Sequence, residues 1–466
     1  MVYGDKMDFQ DHIFKTYDIR GKFPHDFSST TAMNLGKCLG NHFGISRNIV
    51  IGGDVRISSP LIKSALTTGL LEAGCNVLDV GICTTPTIYF LAANNEEING
   101  GIMVTASHNP IEYNGIKVCN EDGISFHINN LFQEVKRKLK GNLLSSAPIM
   151  SYGKQIIPNK INNDQYWTYQ NNSFNPSSKL VVGVEIGNGT CFPILSLLES
   201  KGLIVKSLHS EPDGRFPIMI PDPAKESSLK FLKELIKEQK IDVGIGFDAD
   251  GDRIGFIDEK GNIVNPDQVI MLFGKYLLEK SPKSEILIDI KTSRATYEYL
   301  TKIGATVSFT KVGHSWIHET LLKKGAIFAG ELSGHYYFGL DYYGFDDAVY
   351  SALRMIEILS KSEKSFSELL KRLPAYPSTE EIRIHCPEEI KSKVVSNLVE
   401  LLTKEAVNFI TIDGIRAEFE DGWILIRQSG TEPVISARAE ANNLSKLNEY
   451  RDYIQELITG EIERLT

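Results

Sequence analysis

No stretch of about 18 consecutive apolar residues occurs in the 466-residue chain, so an ordinary transmembrane helix is not expected. The opening Met1-Val2-Tyr3-Gly4-Asp5-Lys6 is not followed by the apolar segment that a secretory leader needs. Cysteine is sparse and scattered. Its six copies (Cys38, Cys75, Cys83, Cys119, Cys191 and Cys386) form no Cys-x-x-Cys pair and no array with histidine, which argues against a zinc site or a disulfide framework. A reducing, cytoplasmic setting is expected. Basic runs are missing as well. With 50 Lys and Arg against 59 Asp and Glu the formal charge is −9, the wrong sign for nonspecific binding to nucleic acid or to an anionic membrane. Any anionic ligand must therefore be drawn by local basic groups.

What is present has the balance of a soluble globular protein, 42% hydrophobic and 23% charged. At roughly 150 residues per domain the length suggests about three domains. Strand-like and helix-like stretches alternate through most of the chain. Asn48–Gly53, Cys75–Val80, Lys179–Val184, Glu285–Asp289 and Thr306–Thr310 read as strands, with helices near Ser59–Ala73, Phe192–Lys201 and Ser293–Ile303. This alternation predicts βαβ units with buried sheets. Two segments read as connections. Gly141 to Asn163 is polar and lacks sustained periodicity, and Leu373–Ser378 carries two prolines. Beyond the second, a strand at Glu381–His385 and a helix near Glu388–Lys404 precede several short strands and a terminal helix near Ser445–Ile458. Strands now follow strands, so an α+β domain is expected there.

Four loops carry chemistry. Ser107, in Thr105-Ala106-Ser107-His108-Asn109-Pro110, follows the apolar run Gly100–Val104 and should emerge at a strand end as a nucleophile. No Gly-x-Ser-x-Gly surrounds it, which removes the α/β-hydrolase reading. In Asn114-Gly115-Ile116-Lys117 the lysine is expected after a tight turn, from which it could return toward the serine. Asp248-Ala249-Asp250-Gly251-Asp252-Arg253 places three carboxylates at alternating positions, an oxygen-only set suited to a hard cation, with an arginine that can face an anion. An EF-hand would need glycine where Arg253 stands, and the preceding segment is strand-like. The Asp-x-Asp-x-Thr phosphatase pattern fails because its fifth place is Asp252. Glu331 and Ser333, in Gly330-Glu331-Leu332-Ser333-Gly334-His335, would share one face of an extended chain and hydrogen-bond adjacent sugar hydroxyls, with His335 as an acid/base group. Arg427-Gln428-Ser429-Gly430-Thr431-Glu432-Pro433 joins an arginine, two hydroxyls and backbone N–H groups in a nest for phosphate.

In this order the four loops resemble the α-D-phosphohexomutase family, and within it the bacterial phosphomannomutase/phosphoglucomutase group. Tyr17-Asp18-Ile19-Arg20-Gly21, Gly53-Asp54-Val55-Arg56 and Lys311-Val312-Gly313-His314-Ser315 strengthen the resemblance. It implies three tandem α/β domains with mixed sheets and a C-terminal α+β domain around a central active-site cleft, divided as 1–150, 151–254, 255–371 and 372–466. It further implies interconversion of hexose 1- and 6-phosphates of mannose or glucose. Ser107 would act as a phosphoserine, with a hexose 1,6-bisphosphate as intermediate and activator. Mg²⁺ would be held by Ser107, Asp248, Asp250 and Asp252. Arg20 and Arg253 would stabilise the transferring group, Lys117 and His335 would serve as acid/base groups, and His108 would orient the phosphoserine. Tyr17, Lys291, His314, Glu331 and Ser333 would line the sugar site, and Arg427, Ser429, Gly430 and Thr431 would hold the idle phosphate. A monomer or homodimer is expected. Phosphoglucosamine mutase is the nearest alternative, from which Leu332 points away. A non-catalytic binding descendant would be expected to lose Ser107 or a metal aspartate, and all four are intact.

Overall fold

The structure is a computed structural model that describes residues 9–26, 28–141, 143–157, 160–430 and 432–466. The chain packs as two compact units. One comprises residues up to Asn265 together with Ser333–Leu370, and the other Pro266–Leu332 with Lys371–Thr466. Among the described residues no helix is long and apolar enough to cross a membrane.

The first unit opens with a mixed six-stranded sheet in the order Ile19–Lys22, Tyr113–Asn120, Gly100–Val104, Asn48–Gly53, Asn76–Ile82, Gln155–Ile156. The last four run parallel and the first two are antiparallel additions. Asn48–Gly53 and Gly100–Val104 are buried along almost their whole length, because helices cover the sheet; this is why both appear as unbroken apolar runs. Gln155–Ile156 lies inside the stretch expected to be a domain connection and forms the sheet's edge.

Asn114-Gly115 is not a turn. It lies within the antiparallel strand Tyr113–Asn120, and the turn precedes it at Ile111-Glu112. The glycine serves close approach: a Cβ there would lie 2.4 Å from the carbonyl oxygen of Ile19 on the neighbouring strand. Lys117 therefore projects from a rigid strand rather than a loop.

A second sheet in this unit runs Ile254–Asp258, Val243–Phe247, Val181–Glu185, Ile204–Leu208. Val243–Phe247 and Ile254–Asp258 pair antiparallel, with Phe247 opposite Ile254, so the acidic loop is the tip of a hairpin. The 333–370 segment is anchored here by Asp347, the N-cap of the helix Ala348–Ser360. Its buried carboxylate accepts from the Tyr350 N–H (2.8 Å), the Tyr166 and Tyr342 hydroxyls (3.0 and 2.6 Å) and the Gln170 amide (3.2 Å).

In the second unit the strands Thr306–Thr310, Glu285–Asp289 and Phe328–Gly330 run parallel. A five-stranded antiparallel sheet follows, ordered Ile382–His385, Val434–Ala441, Gly422–Gln428, Ile415–Phe419, Asn408–Ile410. Ile424 and Ile426 point into a core with the helices Glu388–Glu405 and Leu444–Leu465, while Trp423 and Leu425 face the other way against Ile290. The terminal helix runs past the expected Ile458 to Leu465, with Asn443 as its N-cap. Three α/β sheets followed by an α+β sheet match the expected fold class.

Candidate active site

Gly100–Val104 ends where its apolar residues end, and Ser107 follows in a left-handed backbone conformation, φ +48°. For a residue with a Cβ this conformation persists only where surrounding contacts hold it. Ser107 is 2% exposed, so it is a buried group at a strand end. Its hydroxyl donates to Asp248 Oδ2 at 2.6 Å and stands 3.0 Å from His108 Nδ1. Since the one hydroxyl proton goes to Asp248, His108 Nδ1 carries the proton in the second contact. Burial, reinforced by Arg253 and Arg20, pushes the His108 imidazole well below its usual range, so it is neutral.

The hairpin tip brings Asp248, Asp250 and Asp252 within 4.8 Å of one another, all buried. Asp248 Oδ1 accepts from the Gly251 and Arg253 N–H groups at 3.0 and 3.2 Å. The turn needs glycine at 251, where φ is +74° and a Cβ would meet Cys191 Sγ at 2.6 Å. Asp250 Oδ2 accepts from Thr85 Oγ1 at 2.6 Å and from Lys117 Nζ at 2.9 Å, and Lys117 also contacts Asp252. Two carboxylate oxygens, Asp250 Oδ1 and Asp252 Oδ1, are buried with no hydrogen-bond partner. Desolvation and the repulsion of its neighbours push Asp248 well above the carboxylate range. For Asp252 the same desolvation is outweighed by Lys117, His335 and Arg253 together, which hold it well below. Burial alone would lower the Lys117 ammonium, but the two carboxylates raise it well above its ordinary value. An oxygen-only set with two orphaned, buried carboxylate oxygens fits a hard divalent cation.

Two further cationic groups act on His108 beside the serine. Arg20, on Ile19–Lys22, donates to Asn109 Oδ1 at 2.8 Å and the Ala106 carbonyl at 3.3 Å. It is braced by Asp18 at 2.5 Å. Tyr17 lies half-buried in the bend before that strand. Arg253 Nε donates to His335 Nε2 at 3.3 Å, and His335 Nδ1 pairs with Ser333 Oγ at 2.9 Å. Leu332 and Ser333 form a turn, so the extended-chain geometry expected for Glu331 and Ser333 does not hold.

In the second unit, Glu331 Oε1 accepts from the Gly313 N–H at 3.0 Å, which binds its loop to the one bearing His314. Asp289 accepts from the N–H groups of Lys291 (2.6 Å) and Leu332 (3.0 Å), joining the Lys291 loop to the same cluster. Arg427 Nε donates to Asp413 Oδ2 at 2.9 Å. The expected nest differs in detail: the Ser429 N–H is taken by the Val434 carbonyl (3.0 Å), and Ser429 Oγ accepts from the Glu432 N–H (3.2 Å). Lys391, buried, donates to the carbonyls of Ser429 and Glu432 at 3.0 and 3.1 Å. Gly430 belongs to the same loop; Thr431 lies outside the described residues.

Reading the sequence missed several residues here: Thr85, Asp413, Lys391, and the buried Asp346, whose Oδ2 lies 3.7 Å from His335 Nε2. Asp54 and Arg56 appeared only as part of a motif without a role. Both are buried, and Arg56 bonds the serine loop through backbone carbonyls alone. The available signal was an acid and an arginine two residues apart, placed at the end of the buried strand Asn48–Gly53.

Models of phosphoglucomutase/phosphomannomutase alpha/beta/alpha domains I, II and III match residues 11–142, 164–261 and 265–376, and that of the C-terminal domain matches 381–457. A phosphomannomutase/phosphoglucomutase of Pseudomonas putida is 37% identical over 446 residues, covering 95% of this chain and 94% of its own length. A phosphoglucomutase of Neisseria gonorrhoeae is 33% identical over 452 residues, 96% of each chain. The crystal structure of a phosphoglucomutase/phosphomannomutase family protein from Burkholderia thailandensis superposes with a TM-score of 0.88. It is 31% identical and covers 97% of this chain and 98% of its own.

Proposed function

Because the chain belongs to the phosphoglucomutase/phosphomannomutase family, we propose that it is a phosphohexomutase interconverting the 1- and 6-phosphates of mannose or glucose. The observation that carries this reading is the 2.6 Å hydrogen bond from Ser107 Oγ to Asp248 Oδ2, which joins a nucleophile to a carboxylate cluster 141 residues away in sequence.

In the proposed cycle the bond between phosphorus and Ser107 Oγ breaks as the free sugar hydroxyl bonds to phosphorus, giving a hexose 1,6-bisphosphate. The opposite phosphate then returns to the serine. Ser107, Asp248, Asp250 and Asp252 would hold a divalent cation, Mg²⁺ on the chemistry of the ligand set, which offsets phosphoserine charge. Lys117, kept protonated by two carboxylates, is assigned the proton given to the departing Oγ. His335 is assigned as the base that takes the sugar hydroxyl proton, its Nε2 lone pair turning from Arg253 Nε to the incoming hydroxyl. Arg20 and Arg253 bring positive charge to the transferring group, and neutral His108 holds Oγ in place through Nδ1–H. Tyr17, Lys291, His314, Glu331 and Ser333 are assigned to the sugar, and Arg427, Ser429, Gly430 and Thr431 to the idle phosphate. The division at 150, 254 and 371, a cytoplasmic setting and a monomer or homodimer belong to the same proposal.

A coupled assay on mannose, glucose and glucosamine 1-phosphates, with a trace of the 1,6-bisphosphate, tests it. Turnover of the first two is expected to exceed that of the amino sugar, and Ser107→Ala should abolish it. Full activity of the alanine variant at saturating metal and activator would sink the serine's role, and preference for glucosamine would move the substrate assignment.

A further inference from the structure

Ser107 is the residue whose placement the proposed reaction most depends on, and its backbone is the least self-sufficient part of the site. A φ of +48° is not where a serine rests unaided. The contacts that hold it lead to one buried pair. Arg56 spreads its guanidinium over four carbonyl oxygens of the serine loop and the strand after it. Nη2 donates to Ser107 (2.8 Å) and Asn109 (2.6 Å), and Nη1 donates to Pro110 (2.7 Å) and Tyr113 (3.0 Å). Nε faces Asp54 Oδ2 at 3.2 Å. Asp54 reaches the other side of the same residue. Its Oδ2 accepts from Thr105 Oγ1 at 2.8 Å, and Thr105 Oγ1 accepts from the Ser107 N–H at 2.9 Å. The remaining Asp54 oxygen is fixed by Ser59 Oγ (2.6 Å) and the Arg56 N–H (3.0 Å).

We propose that the Asp54–Arg56 pair is the positioning device of the phosphoryl carrier, clamping both the N–H and the carbonyl of Ser107 so that Oγ is delivered to the acidic cluster. This rests on Ser107 being that carrier. Neither residue touches the reacting atoms. They act through the loop backbone, so they are positioning residues and not catalytic ones. The chemistry explains the residue types. A planar guanidinium fork can bond several carbonyls in fixed directions, which the single ammonium of lysine cannot. The loop of the second sheet supports the fork from behind: Gly214 bridges to Arg56, and the Phe216 ring lies 5.3 Å from the guanidinium carbon. A loop held at this many points does not need the substrate to order it. It can also offer the same Oγ position to the hydroxyl of a 1-phosphate or of a 6-phosphate.

The test separates placement from folding. Full-length Arg56→Met, Arg56→Lys and Thr105→Val are loaded with hexose 1,6-bisphosphate carrying radiolabelled phosphate. This counts the sites that accept phosphate, and kcat is then expressed per loaded site. For Arg56→Met we expect kcat per loaded site to fall about 100-fold, the scale of an ångström-sized misplacement. KM should stay within about threefold, since no substrate contact is lost. Arg56→Lys should recover part of the loss. Thr105→Val cuts only the link from Asp54 to the Ser107 N–H and should lower kcat per loaded site by about tenfold, with a near-normal melting temperature. If Arg56→Met fails to fold, the Thr105→Val result decides. A loss of kcat that merely follows the loaded fraction, or unchanged turnover in Thr105→Val, overturns the positioning role. Failure of the wild-type protein to load or turn over overturns the functional reading beneath it.

Discussion

Replacing Lys117 with methionine tests the electrostatics of the acidic cluster directly. Lys117 is 3% exposed and serves Asp250 and Asp252 together. With the cation bound and all three acids ionised, three carboxylates and one ammonium carry a formal −3 + 1 = −2, which the divalent cation brings to zero; without it, the raised Asp248 takes up part of that charge by protonating. Methionine keeps the length and the apolar stem of lysine but leaves −3. Removing one partner of a buried ion pair costs about 3–5 kcal/mol, so the cation-free variant should melt several degrees below the parent. The cation should then bind more tightly, since a positive neighbour has gone. A unit charge pair at about 4 Å with an effective dielectric constant near 20 is worth roughly 4 kcal/mol. Desolvation and water entry absorb part of this, and a tenfold gain in affinity, about 1.4 kcal/mol, is the least the reasoning accepts. Calorimetric titration with Mg²⁺, together with melting in Mg²⁺ and in chelator, measures both. If Lys117 also delivers the proton to the departing Oγ, kcat should fall by about 10²–10⁴-fold even with the cation bound more tightly. Equal or weaker cation affinity in the variant would refute the shared-charge account.

Other perturbations address separate parts of the molecule. Arg427→Ala should raise KM for the phosphosugar about 10–100-fold through loss of a charged hydrogen-bond donor, while leaving the loading of Ser107 intact; radiolabelled loading and steady-state kinetics check the two halves. Burial pushes Asp347 up to about 6, so the folded protein holds that proton more tightly than the unfolded chain does. Its contribution is therefore full below about pH 4 and lost as pH rises through 6. Relative to Asp347→Asn, wild-type stability in urea unfolding should drop by up to about 3 kcal/mol between pH 4 and 7, and a difference flat with pH would refute this. Burial lifts the thiols of Cys38 and Cys75 to about 11 and that of Cys83 to about 12. A thiol-specific chromogenic reagent at pH 8 should thus leave the native protein almost unmodified and titrate all six cysteines once it is denatured; a rapidly reacting native thiol would contradict the burial.

Much of the fold could be read in the sequence, for a physical reason. Asn48–Gly53 and Glu285–Asp289 are apolar runs bounded by turn residues, and a strand inside a covered sheet leaves that pattern, whereas Thr306–Thr310 alternates polar and apolar residues at the edge of its sheet. The acidic loop was legible because its three carboxylates are close in sequence, so no tertiary knowledge is needed to bring them together. Asn114-Gly115 misled because the pair usually marks a turn, whereas here glycine admits the neighbouring strand's backbone, a requirement only the folded sheet imposes. The Glu331–His335 segment misled for a similar reason: period-two reasoning presumes extended backbone, and the chain turns at Leu332-Ser333. The roles of Arg56 and Lys391 were hidden more deeply. Each works on backbone carbonyls, and a carbonyl has no letter in the sequence. The split of residues 255–371 between two units was equally invisible, since it depends on which core the Asp347 cluster joins.

That split has a consequence for synthesis. The first unit uses residues up to Asn265, skips the next stretch, and is completed by Ser333–Leu370. When the ribosome has made the acidic hairpin, Tyr166, which will hold Asp347, has no carboxylate to hold, and Arg253 has no His335. At roughly 5–20 residues per second, the missing piece arrives on the order of ten seconds later. Until then the growing chain exposes a nearly finished core with three acids packed at its tip. The protein therefore has an interval during its own manufacture in which its charged centre exists before its closure does, and shielding that interval is a task the finished fold no longer reveals.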